Sequence, residues 1–374
     1  MSIPSLAPGG AEGQMVTLAN GLSRRGHEVL IAVLSEGGPL AARVEGAKLV
    51  LLGKHSRLDN ARILLRLAEL YRSFQPHAHY SFLTTPNILG SLLRPLFPKV
   101  ALLMGVRASA VDFSLYHYGR AGRLATRLEA WLSPLAQAVV ANSRTGLAFC
   151  LERGYPNVKS VVIFNGIDTT RFSPDSAARP IQRAAWGIQD DSLLVGLPAR
   201  LDPIKDHPAF LHAAALLTAG QPSLRFVCIG DGPPEILTHL KRQASALGLA
   251  ERLSFVGGVD DMPAAYNALD LACLCSTSEG FPNVLGEAMA CGVPCVTTDV
   301  GDAGLLVDNT GFVVPSGDPA ALAGAIQAQL ERLSREGDSL RTACRERILA
   351  NFSVERLVEA TEELLLKLCA GQQP

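Results

Sequence analysis

The chain has 374 residues, 48% apolar and 18% charged, which is too long for one ordinary core and suits two globular domains. Its net charge of −1 hides an asymmetry: residues 1–170 hold 18 Lys and Arg against 10 Asp and Glu, and residues 171–374 hold 16 against 25. No run approaches the roughly 18–20 apolar residues of a membrane span, no charged segment leads into an apolar one as in a secretory signal, and the eight scattered cysteines form no CxxC pair.

Along the chain, Pro4, Pro8, Gly9 and Gly10 make a glycine-rich turn into a predicted helix over 12–25. Such a turn ordinarily follows a strand. Residues 1–6 are short and proline-marked, so either the opening strand is missing or 2–6 supply a stub. Apolar runs at 28–34, 48–52, 100–104 and 138–142 read as strands. Arginines gather on helix-like stretches, first Arg57, Arg62, Arg66 and Arg72, then Arg120, Arg123 and Arg127. Without interleaved aromatics they favour an anionic membrane surface over nucleic acid, with plainly solvated faces as the alternative. Residues 161–174, containing Asn165-Gly166 and Pro174, read as a linker.

Beyond it the alternation is cleaner. Strands are predicted at 193–198, 225–230, 253–256, 269–275, 295–298 and 311–314, separated by helical periods such as 209–219, 235–247 and 320–333. This pattern implies α/β domains, each a parallel doubly wound sheet covered on both faces. Ligands of such sheets sit at the carboxyl ends of the strands. Cys228 and Cys273 lie inside apolar runs, and Cys291 and Cys295 have no neighbouring His, so buried reduced thiols of a cytoplasmic protein are expected rather than a zinc site.

Three motifs fall at strand ends. Arg200 and Lys205 follow the 193–198 strand, where a planar fork and a point charge suit a diphosphate, though two cations near a loop are as often merely solvated. Gly230-Asp231-Gly232-Pro233 lacks the third glycine of a dinucleotide fingerprint and reads as a tight βα turn. In Ser278-Glu279-Gly280-Phe281-Pro282-Asn283-Val284-Leu285-Gly286-Glu287, a loop runs into a helix that Gly292 and Pro294 end. Glu279 then lies just before the helix and Glu287 about one turn inside it. A helix start attracts phosphate, and a carboxylate beside it accepts hydrogen bonds from sugar hydroxyls. Ordinary helix-start acids, stabilised by about 0.3–1 kcal/mol, are the plain alternative.

Taken together the motifs resemble the retaining glycosyltransferases of family 4, with the two-domain GT-B fold. The resemblance runs through Pro8-Gly9-Gly10-Ala11-Glu12, Leu22 to Val29, Ala141-Asn142-Ser143, Asn165-Gly166-Ile167-Asp168, Arg200 with Lys205, Gly230 to Pro233, the Glu279 to Glu287 segment and Thr298-Asp299-Val300-Gly301. It implies an acceptor-side Rossmann-like domain over 1–165, a nucleotide-sugar domain over 166–348 facing it across a cleft, and a C-terminal helix in 349–374 that crosses back to the first domain. Glu287 would bind ribose hydroxyls and Glu279 the transferred sugar. Phe281, Asn283 and Val284 would offer backbone N–H groups, and Arg200 and Lys205 would neutralise the diphosphate. Gly10 would let a loop approach the diphosphate, Gly230 belongs to the same donor set, and the base would lie near Gly257 to Met262.

One departure concerns the histidine that many members carry on a first-domain loop. Here Met104-Gly105-Val106-Arg107-Ala108-Ser109 holds none; Arg107 is assigned an acceptor-side or phosphate role, and His77, His79 and His117 are alternatives. No Asp-x-Asp triplet occurs, so neither a metal nor another cofactor is expected. The implied activity is transfer of a sugar from a nucleotide-diphosphate donor to a saccharide or lipid-linked acceptor in polysaccharide or cell-envelope assembly. The enzyme would be cytoplasmic, in peripheral contact with an anionic membrane, and independent of nucleic acid. The rival readings are a non-catalytic nucleotide-sugar-binding protein and another GT-B enzyme such as a sugar-nucleotide epimerase.

Overall fold

The computed structural model describes residues 1–371 apart from 36, 108–119 and 219. They form two units, one of Met1–Gly166 with Val354–Pro374 and one of Ile167–Ser353.

The first unit contains strands β1 (Ser2–Ile3), β2 (Leu30–Val33), β3 (Lys48–Leu51), β4 (Ala78–Phe82), β5 (Ala101–Val106), β6 (Ala138–Ala141) and β7 (Ser160–Val162). They pair in parallel in the order β3-β2-β1-β4-β5-β6-β7. The opening strand is therefore a stub, yet it occupies the middle of the sheet, with Ser2 opposite both Ala32 and Ser81. Pro4 ends it by lacking an N–H, while its carbonyl still accepts from Ser35 at 3.0 Å.

Two strands escape a reading by apolar pattern. In β4 the run is broken by His79 and Ser81, both buried and both bonded inside the unit. The His79 ring nitrogens lie 2.7 Å from Ser2 Oγ and 2.5 Å from Tyr71 OH, and Ser81 Oγ donates to Asn87 Oδ1 at 2.6 Å. This makes His79 a structural residue. β7 is a half-buried edge strand of three residues, so the expected linker over 161–174 begins inside the sheet.

The helix Val354–Cys369 completes this unit. Val354, Leu357, Leu364 and Leu368 share one core with Ile3, Leu18, Ile31, Phe82 and Leu103. It lies so close to the helix Gly10–Arg24 that a Cβ on Gly21 would stand 2.2 Å from Val358 Cγ2. Glu362 is bridged by Arg25 and His27, each at 2.6 Å.

In the second unit, β8 (Leu193–Pro198), β9 (Leu224–Ile229), β10 (Leu253–Phe255), β11 (Leu271–Leu274), β12 (Cys295–Thr298) and β13 (Phe312–Val314) form a parallel sheet in the order β10-β9-β8-β11-β12-β13. Helices His207–Thr218, Pro234–Ala246 and Pro319–Glu336 fall where the periodicity predicts them, within two or three residues at each end. Val195, Leu197, Phe210, Phe226, Leu271 and Val296 belong to its core.

Asp270, just before β11, is the polar hub of this unit. Its carboxylate takes Arg183 at 2.7 Å, Arg179 at 2.7 Å and the Leu194 N–H at 2.8 Å. Arg183 is only 1% exposed and also donates to the carbonyls of Ala268, Asp190 and Ser192. The eight cysteines are free thiols, seven of them buried. Among the described residues, no helix is long and apolar enough to cross a membrane.

Candidate functional site

In the second sheet the chain runs outward from β8 to β9 and β10, then returns to place β11 on the other side of β8. The order reverses between β8 and β11, and the carboxyl ends of strands at such a reversal are the ordinary ligand position of these sheets. Lys205 leaves β8 through the short turn Pro203–Lys205, which Asp202 caps by accepting from Ile204 N. Glu279 leaves β11. The two loops are stitched by Thr277 N donating to Ile204 O at 2.8 Å.

The stitch brings Lys205 Nζ to 2.5 Å from Glu279 Oε1, and Ser276 Oγ donates to the same oxygen at 2.6 Å. Both long side chains are mostly buried, at 19% and 13% exposure. Little solvent screens such a pair, and it fixes the carboxylate in one orientation. On the β12 side, Gly301 adopts φ +55°, and a Cβ there would stand 2.4 Å from the Glu279 carbonyl and 2.5 Å from that of Gly280. Only glycine lets the loop after β12 close down on the glutamate's own backbone.

Glu287 lies in the helix Asn283–Ala290, about one turn from its start. It accepts from Tyr266 OH at 2.8 Å. Burial, and then the neighbouring Glu287 carboxylate, push the Tyr266 phenol well above its ordinary value, so it stays protonated and donates. The opening turn of this helix presents backbone N–H groups, the end that attracts anions, and Asn283 and Val284 are its first two residues. Phe281 stands just before this helix, and its ring is buried and packs on Phe352 at 5.5 Å between centroids.

The loops after β8, β9 and β10 are tied edge to edge. Gly230 N donates to Gly257 O at 2.7 Å, Leu201 N to Asp231 O at 2.9 Å, and Gly258 N to Asp231 Oδ1 at 2.8 Å. Gly230 has φ +147°, and a Cβ there would meet Ala199 O at 2.3 Å. This is the expected tight βα turn, with the helix Pro234–Ala246 directly after it. Met262 opens the short helix Met262–Asn267, capped by Asp261.

Lys205, Glu279, Glu287, Gly230, Gly257, Met262, Phe281, Asn283 and Val284 thus all stand at or beside the carboxyl edge of one sheet. Arg200 shares that edge but is 76% exposed, 3.6 Å from Asp202. Gly10 and Arg107 belong to the first unit. Gly10 opens the helix Gly10–Arg24, and Arg107, at the end of β5, donates to Asn165 Oδ1 at 2.9 Å and Tyr80 OH at 3.2 Å while its guanidinium lies 3.9 Å from the Phe82 ring centroid. Ala108, Ser109 and His117 lie outside the described residues. Sequence reasoning passed over Ser276 and Tyr266, and read Asp231 only as part of a tight turn. Ser276 stands three residues before Glu279, a spacing that could have flagged it. Nothing in the local pattern pairs Tyr266 with a residue 21 positions away.

The family model for glycosyl transferases group 1 matches residues 192–332, and that for glycosyltransferase family 4 matches residues 8–171. The chain belongs to the family 4 glycosyltransferases. Similar curated proteins include D-inositol 3-phosphate glycosyltransferase of Salinispora tropica, 32% identical over 240 residues that make up 60% of this chain and 49% of that protein. The lipopolysaccharide core biosynthesis mannosyltransferase LpsB of Rhizobium meliloti is 31% identical over 57% of this chain and 63% of its own length. The matched region of this chain spans about half the length of the first of these relatives. Among solved structures, HepE of Anabaena in complex with UDP superposes with a TM-score of 0.84 over 98% of each chain at 21% identity. The same protein with UDP-glucose gives 0.81 over 98% of each chain at 22% identity. These likenesses establish the fold: two parallel-sheet, Rossmann-like domains of the GT-B class.

Proposed function

We propose that this family 4 glycosyltransferase moves a sugar, with retention, from a nucleotide-diphosphate donor to a saccharide or lipid-linked acceptor in cell-envelope or polysaccharide assembly, working peripherally at an anionic membrane. The observation that carries the reading is the Lys205–Glu279 pair at the strand-order reversal, flanked by Glu287 on the helix start.

The donor lies along the strand ends. From the loop after β10 to that after β11 is three strand steps, a row about 14 Å long. The base rests near Gly257 to Met262 and ribose hydroxyls donate to Glu287. The diphosphate meets Lys205, Arg200 and the helix N–H groups, and the transferred sugar is held by Glu279. Breaking the anomeric bond builds charge on the departing phosphate, where fixed cations lower the barrier more than they stabilise the bound donor. The acceptor hydroxyl attacks from the face that the nucleotide leaves and passes its proton to a phosphate oxygen. The glutamates therefore hold and orient the donor and do not act as a proton-transfer pair, and no metal takes part.

A thermal-shift panel of UDP-, GDP- and ADP-sugars in chelator, followed by donor hydrolysis and transfer assays, tests this. A matched donor should raise Tm in the wild type and Glu279→Gln but much less in Glu287→Ala, and turnover should be lost in Glu279→Gln. UDP-sugars come first, since the similar HepE was crystallised with UDP and with UDP-glucose. Binding without turnover under every acceptor would favour a silent sugar-nucleotide binder, and an absolute requirement for a divalent ion would sink the proposed chemistry.

A further inference from the structure

The helix Arg120–Leu132 of the first unit buries Glu129, Ala130 and Leu132 on one side. Its opposite side is apolar where solvent should favour charge. Leu124 is 66% exposed, Leu128 38%, Trp131 75% and, just past the helix end, Leu135 41%. The spacings of four, three and four residues bring these side chains onto one stripe. Arg120, Arg123 and Arg127 lie along one flank of that stripe at the same helical period. The one acid of the helix, Glu129, is turned inward and donated to by Asn87 Nδ2 at 2.6 Å. The helix packs beside Thr84–Leu93, beyond which Leu96 (70% exposed) and Lys99 are also at the surface.

Single exposed leucines are common, but a contiguous stripe ending in a nearly bare tryptophan is a docking face. Its composition selects the occupant. Leucine and tryptophan flanked by arginine, with no exposed acid on the helix, match the boundary between acyl chains and anionic headgroups. A protein interface buries tryptophan and arginine too, but three arginines in a row beside the stripe call for an occupant that is anionic along its whole length.

We infer that the helix Arg120–Leu132 lies in the plane of an anionic membrane surface, with Leu124, Leu128, Trp131 and Leu135 immersed and its arginines on the headgroups. The inference rests on the reading that the enzyme works peripherally at a membrane, and it names the surface that makes the contact. It also gives a use to the basic excess of residues 1–170.

The chain has two tryptophans, so Trp186→Phe leaves Trp131 as the sole indole reporter. The full chain is mixed with vesicles of phosphatidylcholine alone and of phosphatidylcholine with phosphatidylglycerol in equal parts, and co-flotation and Trp131 emission are read with and without acyl-brominated lipid. The expected result is flotation with the anionic vesicles only, a blue shift of Trp131 and its quenching by bromine. Arg120→Gln/Arg123→Gln/Arg127→Gln should weaken partitioning about a hundredfold, and Leu124→Ser/Leu128→Ser should abolish the blue shift, each with an unchanged circular dichroism spectrum. Flotation with Trp131 unquenched would place the contact elsewhere and overturn the inference, as would no flotation at all. A blue shift that grows with protein concentration in the absence of vesicles would assign the face to a second copy instead. None of these readouts uses a donor, so failure of the glycosyl-transfer reading would show separately, as absent turnover with intact vesicle binding.

Discussion

Lys205 Nζ lies 2.5 Å from Glu279 Oε1, although the two residues are 74 positions apart and leave different strands. Adjacent strands on either side of the order reversal bring together the cation that the proposed reaction assigns to phosphate and the carboxylate that it assigns to sugar. On the proposed chemistry, Lys205→Met should lower kcat about a hundredfold with donor KM changed less than about threefold, because its charge acts on the departing phosphate. Glu279→Gln should cost a similar or larger factor, and the double variant little more than the worse single one. Steady-state kinetics of the four proteins decide this; losses that simply multiply would dissociate the two residues.

Gly301 makes a test that leaves every polar side chain in place. Gly301→Ala puts a Cβ against the Glu279 and Gly280 carbonyls at a φ of +55°, whereas Gly317, at φ +74°, has nothing within 4 Å of where its Cβ would be. Gly317→Ala should cost about 1 kcal/mol through backbone strain and leave donor affinity unchanged. Gly301→Ala should cost more and raise the donor Kd more than tenfold. Urea denaturation and donor titration of both variants give the comparison, and equal donor affinity in the two would refute a role for that close approach.

Removing the Asp270 carboxylate should damage stability rather than chemistry. Asp270→Ala leaves Arg183, 1% exposed, without its counter-charge, and breaking such a pair costs about 3–5 kcal/mol. The unfolding transition of the second unit should shift accordingly. A loss under about 1 kcal/mol would mean that the carbonyls of Ala268, Asp190 and Ser192 are sufficient for the guanidinium.

Two buried histidines set an acid limit, one in each unit. Burial lowers His79 to about 3 and His207 to about 4 from an ordinary 6.5. The folded rings therefore stay neutral where the unfolded ones take up a proton. Their contribution is fully present above pH 6.5, shrinks as pH falls from there toward 4, and below 4 continues to fall through His79 alone. The slope within the window is about 1.4 kcal/mol per pH unit for each histidine. Denaturation between pH 7.5 and 4.5 should show this, and His79→Gln should flatten the first unit's share. Parallel pH curves for wild type and variant would rule out His79 as a source.

How legible all this was in the sequence varied with burial. Strands such as β8 and β12 were readable to the residue because nearly every position is buried and no charged residue interrupts them. β4 was hidden by His79 and Ser81, whose polarity is satisfied by Ser2, Tyr71 and Asn87, residues that only the fold brings near. The Glu279 to Glu287 segment announced itself through its glycine, proline and helix-forming residues. The Tyr266 bond to Glu287 did not, since a contact between two different helices, with β11 between them in the chain, leaves no local period. The arginines of 120–127 were visible as charge, but whether the leucines and tryptophan beside them face a core or solvent is not readable from their spacing.

The helix that contributes Val354, Leu357, Leu364 and Leu368 to the first unit's core is made after the whole of the second unit. A ribosome delivering the chain in order releases all seven strands of that unit, then the whole of the second, before the residues that cover Ile3, Leu18 and Phe82 emerge. The first unit consequently waits, its apolar face uncovered, while about half of the chain is made. Translation stalled before Val354 would leave a nascent chain whose second unit is finished and whose first unit is a client for chaperones.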